Sequence, residues 1–305
     1  MDGNHNNSNN SNSPKTRKIT TQNMNEKIDK HVARHEQMVQ EERDIDLEFK
    51  LLLGKPITIN RIIDDNLYII ANLYPLTINQ IYEIGLNNYY MVVNILLQDI
   101  DNIKNMIKVK NEKDIKNNRN LSIEEKEEIN DANLCKSTLD YIIKTCFKNP
   151  PIRDIIIDFL SRLFHEPVVL QRTGCFCLGK NGERIITNRD YEEIKRVIKL
   201  QNCIKDQKKK SDKVIKFEAR LAEMRKKYNK ENNNTIIEVI SSISAKSNSI
   251  NLLNICELTI YQLYNQLTRL NMIEGYEFNF ESLLNGAKKE DIGEIKHWSS
   301  RIDNN

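Results

Sequence analysis

Histidines, cysteines and paired carboxylates are the side chains through which this sequence could do chemistry, and their spacing decides how much. The nearest approach to a metal cluster is His165, Cys175, Cys177 and Cys203. Zinc sites are gripped by cysteine pairs presented from one tight turn. Cys175-x-Cys177 instead sits in a run of β-formers, where alternate side chains face opposite sides, so it reads as one buried and one surface thiol. His31 and His35 are one helical turn apart, yet no further ligand is near in sequence, and a solvated helix face accounts for them. Glu124-Glu125 and Glu127-Glu128 fall on polar helix turns with no apolar pocket to tune them for acid–base work. His297-Trp298 could set an acid beside a stacking surface, but a Trp near a helix end is more often an anchor into a core or an interface. Phosphate-cradling loops are glycine-rich, and with 9 glycines the chain has neither a Walker loop nor Gly-x-Gly-x-x-Gly nor Gly-x-Ser-x-Gly. The expectation is a protein with no active site, no metal and no cofactor.

One basic run remains, Lys205–Lys230. It includes Lys208, Lys209, Lys210, Lys213, Arg225, Lys226 and Lys227, which on a helix could follow a phosphate backbone. Asp212, Glu218 and Glu223 interrupt it. Its two aromatics, Phe217 and Tyr228, belong to the apolar series Val214, Phe217, Leu221, Met224 and Tyr228, spaced 3, 4, 3, 4 like a coiled-coil seam. A solvated helix with a short apolar seam is the preferred reading. Nucleic-acid binding is the alternative, and the seam also offers a surface for self-association.

Totals bound the rest. The chain has 305 residues, 29% of them charged and 39% hydrophobic, with a formal charge of +3, which permits a lean globular core and does not by itself argue for a polyanionic partner. Spanning a bilayer takes about 18 or more consecutive apolar residues, and no run approaches that. No membrane role is expected, and the six irregularly spaced cysteines read as reduced thiols.

The elements that would position any site are mostly helical. Residues 1–24 are Asn/Ser-rich and are read as a disordered tail; 25–54 form an amphipathic helix stopped by Gly54-Lys-Pro56. Residues 55–110 hold short strands Ile57–Ile59 and Leu67–Asn72 around the turn-prone Asp64-Asp65-Asn66, followed by helices. A linker spans 111–121. Residues 122–230 form a helical core with a β-hairpin at 168–187 around Asn181-Gly182, and 231–251 are a polar joint. The C-terminal unit, 252–305, opens with Thr259-Ile-Tyr-Gln262, a capping box in which the Thr hydroxyl and Gln side chain each take an orphan amide. Its first helix carries Leu263, Leu267 and Leu270 on one stripe; a second is expected over Phe280–Ala287 and a third over Ile292–Ile302. Thr77-Ile-Asn-Gln80 and Ser122-Ile-Glu-Glu125 are further boxes. The motif Leu-Thr-Ile-x-Gln-(Ile/Leu)-Tyr occurs twice, at Leu76–Tyr82 and Leu258–Tyr264, and is read as a reused helix start rather than a duplication. The fold class is therefore mostly α (α+β), a helical domain with one or two small hairpins.

Three stretches, YPLTINQIYEIGLNNYYMVVNILLQD at Tyr74–Asp99, GERIITNRDYEEIKRVIKLQN at Gly182–Asn202 and the ending LTIYQLYNQLTRLN…GAKKEDIGEIKHWSSRI, resemble proteins of the tail-morphogenesis region of tailed bacteriophages infecting low-GC Gram-positive bacteria. The resemblance implies a non-enzymatic assembly protein in the cytoplasm of the infected host. It would bind a helical client such as the tape-measure protein in the manner of a tail assembly chaperone, or be built into the tail or baseplate. The expected binding residues are Leu263, Leu267, Leu270 and Trp298 with Phe217, Leu221 and Met224 of the seam.

Overall fold

The structure, a computed structural model, describes residues 38–39, 42–104, 122–204, 235–288, 292 and 297–302. The chain divides into two units, Met1–Asp46 and Leu47–Asn305. In the first, the described residues 38–39 and 42–46 are helical; the second is the folded body treated below. The Asn/Ser-rich 1–24, His31 and His35, the linker 111–121 and the basic run with its seam lie outside the described residues.

The body opens with helical residues 47–52 and a hairpin of β1 (Ile57–Ile63) and β2 (Asn66–Leu73), paired antiparallel. Both strands run further than expected because the turn is tighter. Asp64 and Asp65 alone bridge Ile63 and Asn66, with φ of 47° and 61°, the left-handed pair whose twist suits a two-residue hairpin. A register shift at Ile59/Asn60 splits the ribbon: Ile57, Ile59, Ile70 and Leu73 enter the core, and the rungs beyond leave it.

Helices α1 (Ile78–Ile84), α2 (Leu86–Leu96), α3 (Ile123–Leu134), α4 (Thr138–Lys148) and α5 (Pro150–Phe164) follow. The expected break near Asp131 falls instead at Cys135–Ser137, where Ser137 and Asp140 form a new capping box. Prolines at the first turn of α5 cost it no hydrogen bond, and His165 ends it in a left-handed cap. α5 is the centre of the core: it meets α1, α2, α4, β2 and the strand β3 (Val168–Gln171), and buries Ile156, Phe159, Leu163 and Phe164.

The expected hairpin at 168–187 is a three-stranded antiparallel sheet in the order β3 (Val168–Gln171), β4 (Cys175–Leu178), β5 (Arg184–Ile185). The Asn181-Gly182 turn joins β4 to β5, and Gly182 has φ of 68°. Thr187 and Asp190 then cap α6 (Asn188–Gln201). Two boundaries differ from expectation after it. Ile236–Lys246 is a helix, α7, so the polar joint begins later. Ser241 and Ser242 occupy the solvent side while Ile236, Val239 and Ile243 are buried, and Thr235 with Glu238 makes another capping box. In the C-terminal unit a single helix, α8 (Ile260–Leu284), replaces the first expected helix and runs through most of the second, and of the third the described residues 297–302 form a turn, not a helix. Between Asn271 and Phe280 the only breaker is Gly275, whose cost of about 1 kcal/mol is too small to end a helix.

The repeated motif acquires a meaning here. Thr77 and Thr259, the two N-caps, form an antiparallel bridge, and the amide of Ile78 donates to the carbonyl of Leu258 at 2.9 Å. Each Thr amide donates to its own Gln80 or Gln262 Oε1 at 2.9 Å, and the equivalent Ile81 and Leu263 are both buried. The two helix starts thus meet about a local two-fold axis and lock α8 onto α1. Gln262 Nε2 adds a bond to the carbonyl of Leu52 at 2.9 Å.

Candidate docking surface

α8 is 25 residues long, about 37 Å at the usual rise, and only Ile260, Tyr261 and Leu263 of it are buried. Its first turns are fixed by the Thr77–Thr259 bridge and by α7, which packs on α8 and ends in an ion pair between Lys246 and Glu274. Beyond Glu274 nothing on the helix is buried. Phe278 is 70% exposed, Phe280 51% and Leu284 73%.

The C-terminal tail returns to this helix. Arg269 Nη1 donates to the carbonyls of Trp298 and Ser300 at 2.7 and 2.6 Å, and Arg301 reaches Glu48 at 3.5 Å. The His297 ring stands edge-on to Tyr276 at 5.2 Å, and Tyr276 stacks on Phe280 at 6.3 Å. Tyr276, Phe280, His297 and the half-exposed Trp298 therefore make a continuous aromatic strip. His297 Nδ1 accepts the Ser299 amide at 3.2 Å, so this nitrogen closes the turn. Rings bare to solvent on a fixed backbone, flanked by carboxylates, have the chemistry of a protein contact: large apolar area at little conformational cost.

A second bare surface lies on the outer half of the β1–β2 ribbon. Ile62 pairs with Leu67, Ile69 follows on the same face, and the three are 60%, 65% and 59% exposed. The ribbon is held from its opposite face. Arg61 makes a two-pronged ion pair with buried Asp190 and donates to the carbonyl of Ile185 at 2.9 Å. Burial alone would raise the Asp190 carboxyl, but Arg61 and the Thr187 hydroxyl and amide hold it below the ordinary aspartate value. The alternation of β1 and β2 showed strands without showing that their outer rungs would pass the edge of the body.

The residues singled out in the sequence are distributed as follows. Leu263 is fully buried, and Leu267 and Leu270 pack partly buried against the core, so that stripe of α8 is occupied by the chain's own interior. Trp298 is at the surface on the aromatic strip. Phe217, Leu221, Met224 and the lysines and arginines from Lys208 to Lys227 lie outside the described residues. His165 stacks on Tyr74 at 3.9 Å, nearly parallel. Cys177 is buried on β4, where burial raises its thiol, Cys175 is half-buried, and Cys203 is exposed after α6. Among the described residues no three His, Cys, Asp or Glu side chains stand close enough to hold an ion. No described helix is long and apolar enough to cross a membrane. The signal missed in the sequence was Phe278-x-Phe280, hidden by ending the first C-terminal helix too early.

Residues 226–303, about a quarter of the chain, match the model of a family described as the YomV second domain, and YomV is a protein of a Bacillus phage region. The similar segment holds α7, α8 and the tail, and so the whole aromatic strip. No curated protein and no solved structure matches the chain.

Proposed function

We propose that this is a phage protein that acts without catalysis, by holding another protein on the outer half of α8 and its aromatic strip. The observation that carries the reading is a helix locked at one end by buried contacts and left bare at the other, where Phe278, Phe280 and Leu284 stand exposed. A fold gains nothing from extending such a helix into water, because exposed aromatics cost solubility without adding to the core. A partner that covers them accounts for the extension. The match to a phage-region domain over the same residues supports a phage protein, and the resemblance of Tyr74–Asp99 and Gly182–Asn202 to tail-morphogenesis proteins is the ground for proposing a partner in tail assembly. The client is then a long helical protein such as the tape-measure protein, kept soluble in the cytoplasm of the infected host until the tube forms around it. An apolar helix face laid along an exposed helix is a common mode of such recognition.

Co-expression with the tape-measure protein tests this. The client is expected in the soluble fraction with the native chain and in the pellet with a Phe278→Ala, Phe280→Ala, Leu284→Ala variant. A client equally insoluble with and without the native chain refutes the proposal.

A further inference from the structure

Charge on the outer half of α8 is one-sided. From Glu274 to Leu284 the helix carries Glu274, Glu277 and Glu281 and no Lys or Arg. The three carboxylates are spaced by three and four residues, so they form one stripe along the helix, with Phe278 within it and Phe280 and Leu284 beside it, each three residues from a Glu. The fold already shows what this stripe takes. Its first member, Glu274, is ion-paired with Lys246, the last residue of α7, where α7 packs on α8. Beyond that point the same pattern continues with Glu277 and Glu281 exposed and no described cation on them.

We infer that the outer half of α8 receives a basic amphipathic helix of a partner protein, which continues the α7 interface by placing Lys or Arg on Glu277 and Glu281 and apolar side chains over Phe278, Phe280 and Leu284. The inference rests on the reading of α8 as a docking helix and adds the chemistry of what docks. An acidic or neutral amphipathic helix would cover the rings equally well but would meet like charge or none. Two exposed carboxylates contribute modestly one at a time, and reversing both turns attraction into repulsion, so the discrimination should be about tenfold.

The test uses the full chain and two synthetic helical peptides with the same leucine heptads, one flanked by Lys and one by Glu, in a fluorescence anisotropy titration. The Lys peptide is expected to bind about tenfold or more tightly than the Glu peptide, to weaken as salt rises, and to lose its advantage with Glu277→Lys, Glu281→Lys. Both positions are exposed, and an unchanged circular dichroism spectrum shows that the variant folds. Equal binding of the two peptides, or an advantage unmoved by the charge reversal, overturns the inference while leaving the docking helix in place, provided binding is lost in Phe280→Ala, Leu284→Ala. Binding by neither peptide also overturns it, and the co-expression experiment then decides separately whether α8 docks a client at all.

Discussion

Arg269 holds the C-terminal tail on α8, and replacing it should free the tail without unfolding the body. The guanidinium makes two hydrogen bonds, to the carbonyls of Trp298 and Ser300 at 2.7 and 2.6 Å. Hydrogen bonds to a charged group contribute about 1.5–3 kcal/mol when shielded, and at this partly exposed site about 1 kcal/mol each is the better figure. Arg269→Ala should therefore shift the docked-to-free ratio of the tail by about 2 kcal/mol, or roughly 30-fold. The protein has a single Trp, Trp298, so its fluorescence reports the tail alone. The expected outcome is a red-shifted emission and steeper acrylamide quenching, with the urea midpoint followed by far-ultraviolet circular dichroism nearly unmoved. Arg269→Lys should fall between, because an ammonium lacks the planar fork that spans two carbonyls. Both acceptors are carbonyls, so salt should weaken only the exposed Arg301–Glu48 pair and leave most of the tail of the native protein docked. Unchanged emission and quenching in Arg269→Ala would refute this account and assign the docking to the ring contacts of His297 and Tyr276.

Three further outcomes follow from the packing. Asp190→Asn leaves Arg61 without its buried carboxylate and should cost about 2–3 kcal/mol, less than for a fully buried pair because Arg61 is partly exposed, read as a fall in the urea midpoint. The Asp190 carboxyl titrates below its unfolded value, so its contribution is present above the ordinary aspartate range and is lost as pH falls through the depressed value; the variant's stability should converge on the native protein's in that acid window. Leu263→Ala should cost about 2–5 kcal/mol and Leu284→Ala less than about 0.5 kcal/mol, because the first is buried in the core and the second is bare; comparable losses in thermal melts would contradict the anchored-and-bare description of α8. Thr259→Ala removes a buried cap at the α1–α8 bridge and should cost about 1–2 kcal/mol by the same melts, with Thr259→Ser restoring most of it.

How much was legible differs between elements. The starts at Thr77 and Thr259 were readable because a capping box is a local exchange of hydrogen bonds within four residues. Thr235-Ile-Ile-Glu238 fits the same pattern, but the serines after it masked a helix whose buried side needs only Ile236, Val239 and Ile243. The turn at Asp64-Asp65 was legible as a turn; the length of the strands around it was not, since register depends on which φ values the two aspartates adopt. Three of the expected binding residues, Leu263, Leu267 and Leu270, illustrate the limit. An apolar stripe on a helix says that something covers it and not whether the cover is the chain itself.

The sequence by itself determined that the protein is mostly helical with small antiparallel sheets, because periodicity, caps and β-branched runs act over a few residues. Only the tertiary structure decided that the two copies of Leu-Thr-Ile-x-Gln meet as a bridge, that Arg61 finds Asp190 across 129 positions of chain, and that α8 passes from buried at Leu263 to bare at Leu284. Each of these depends on which distant segment arrives at a surface, and the free energy that settles it is shared among packed side chains far apart in sequence.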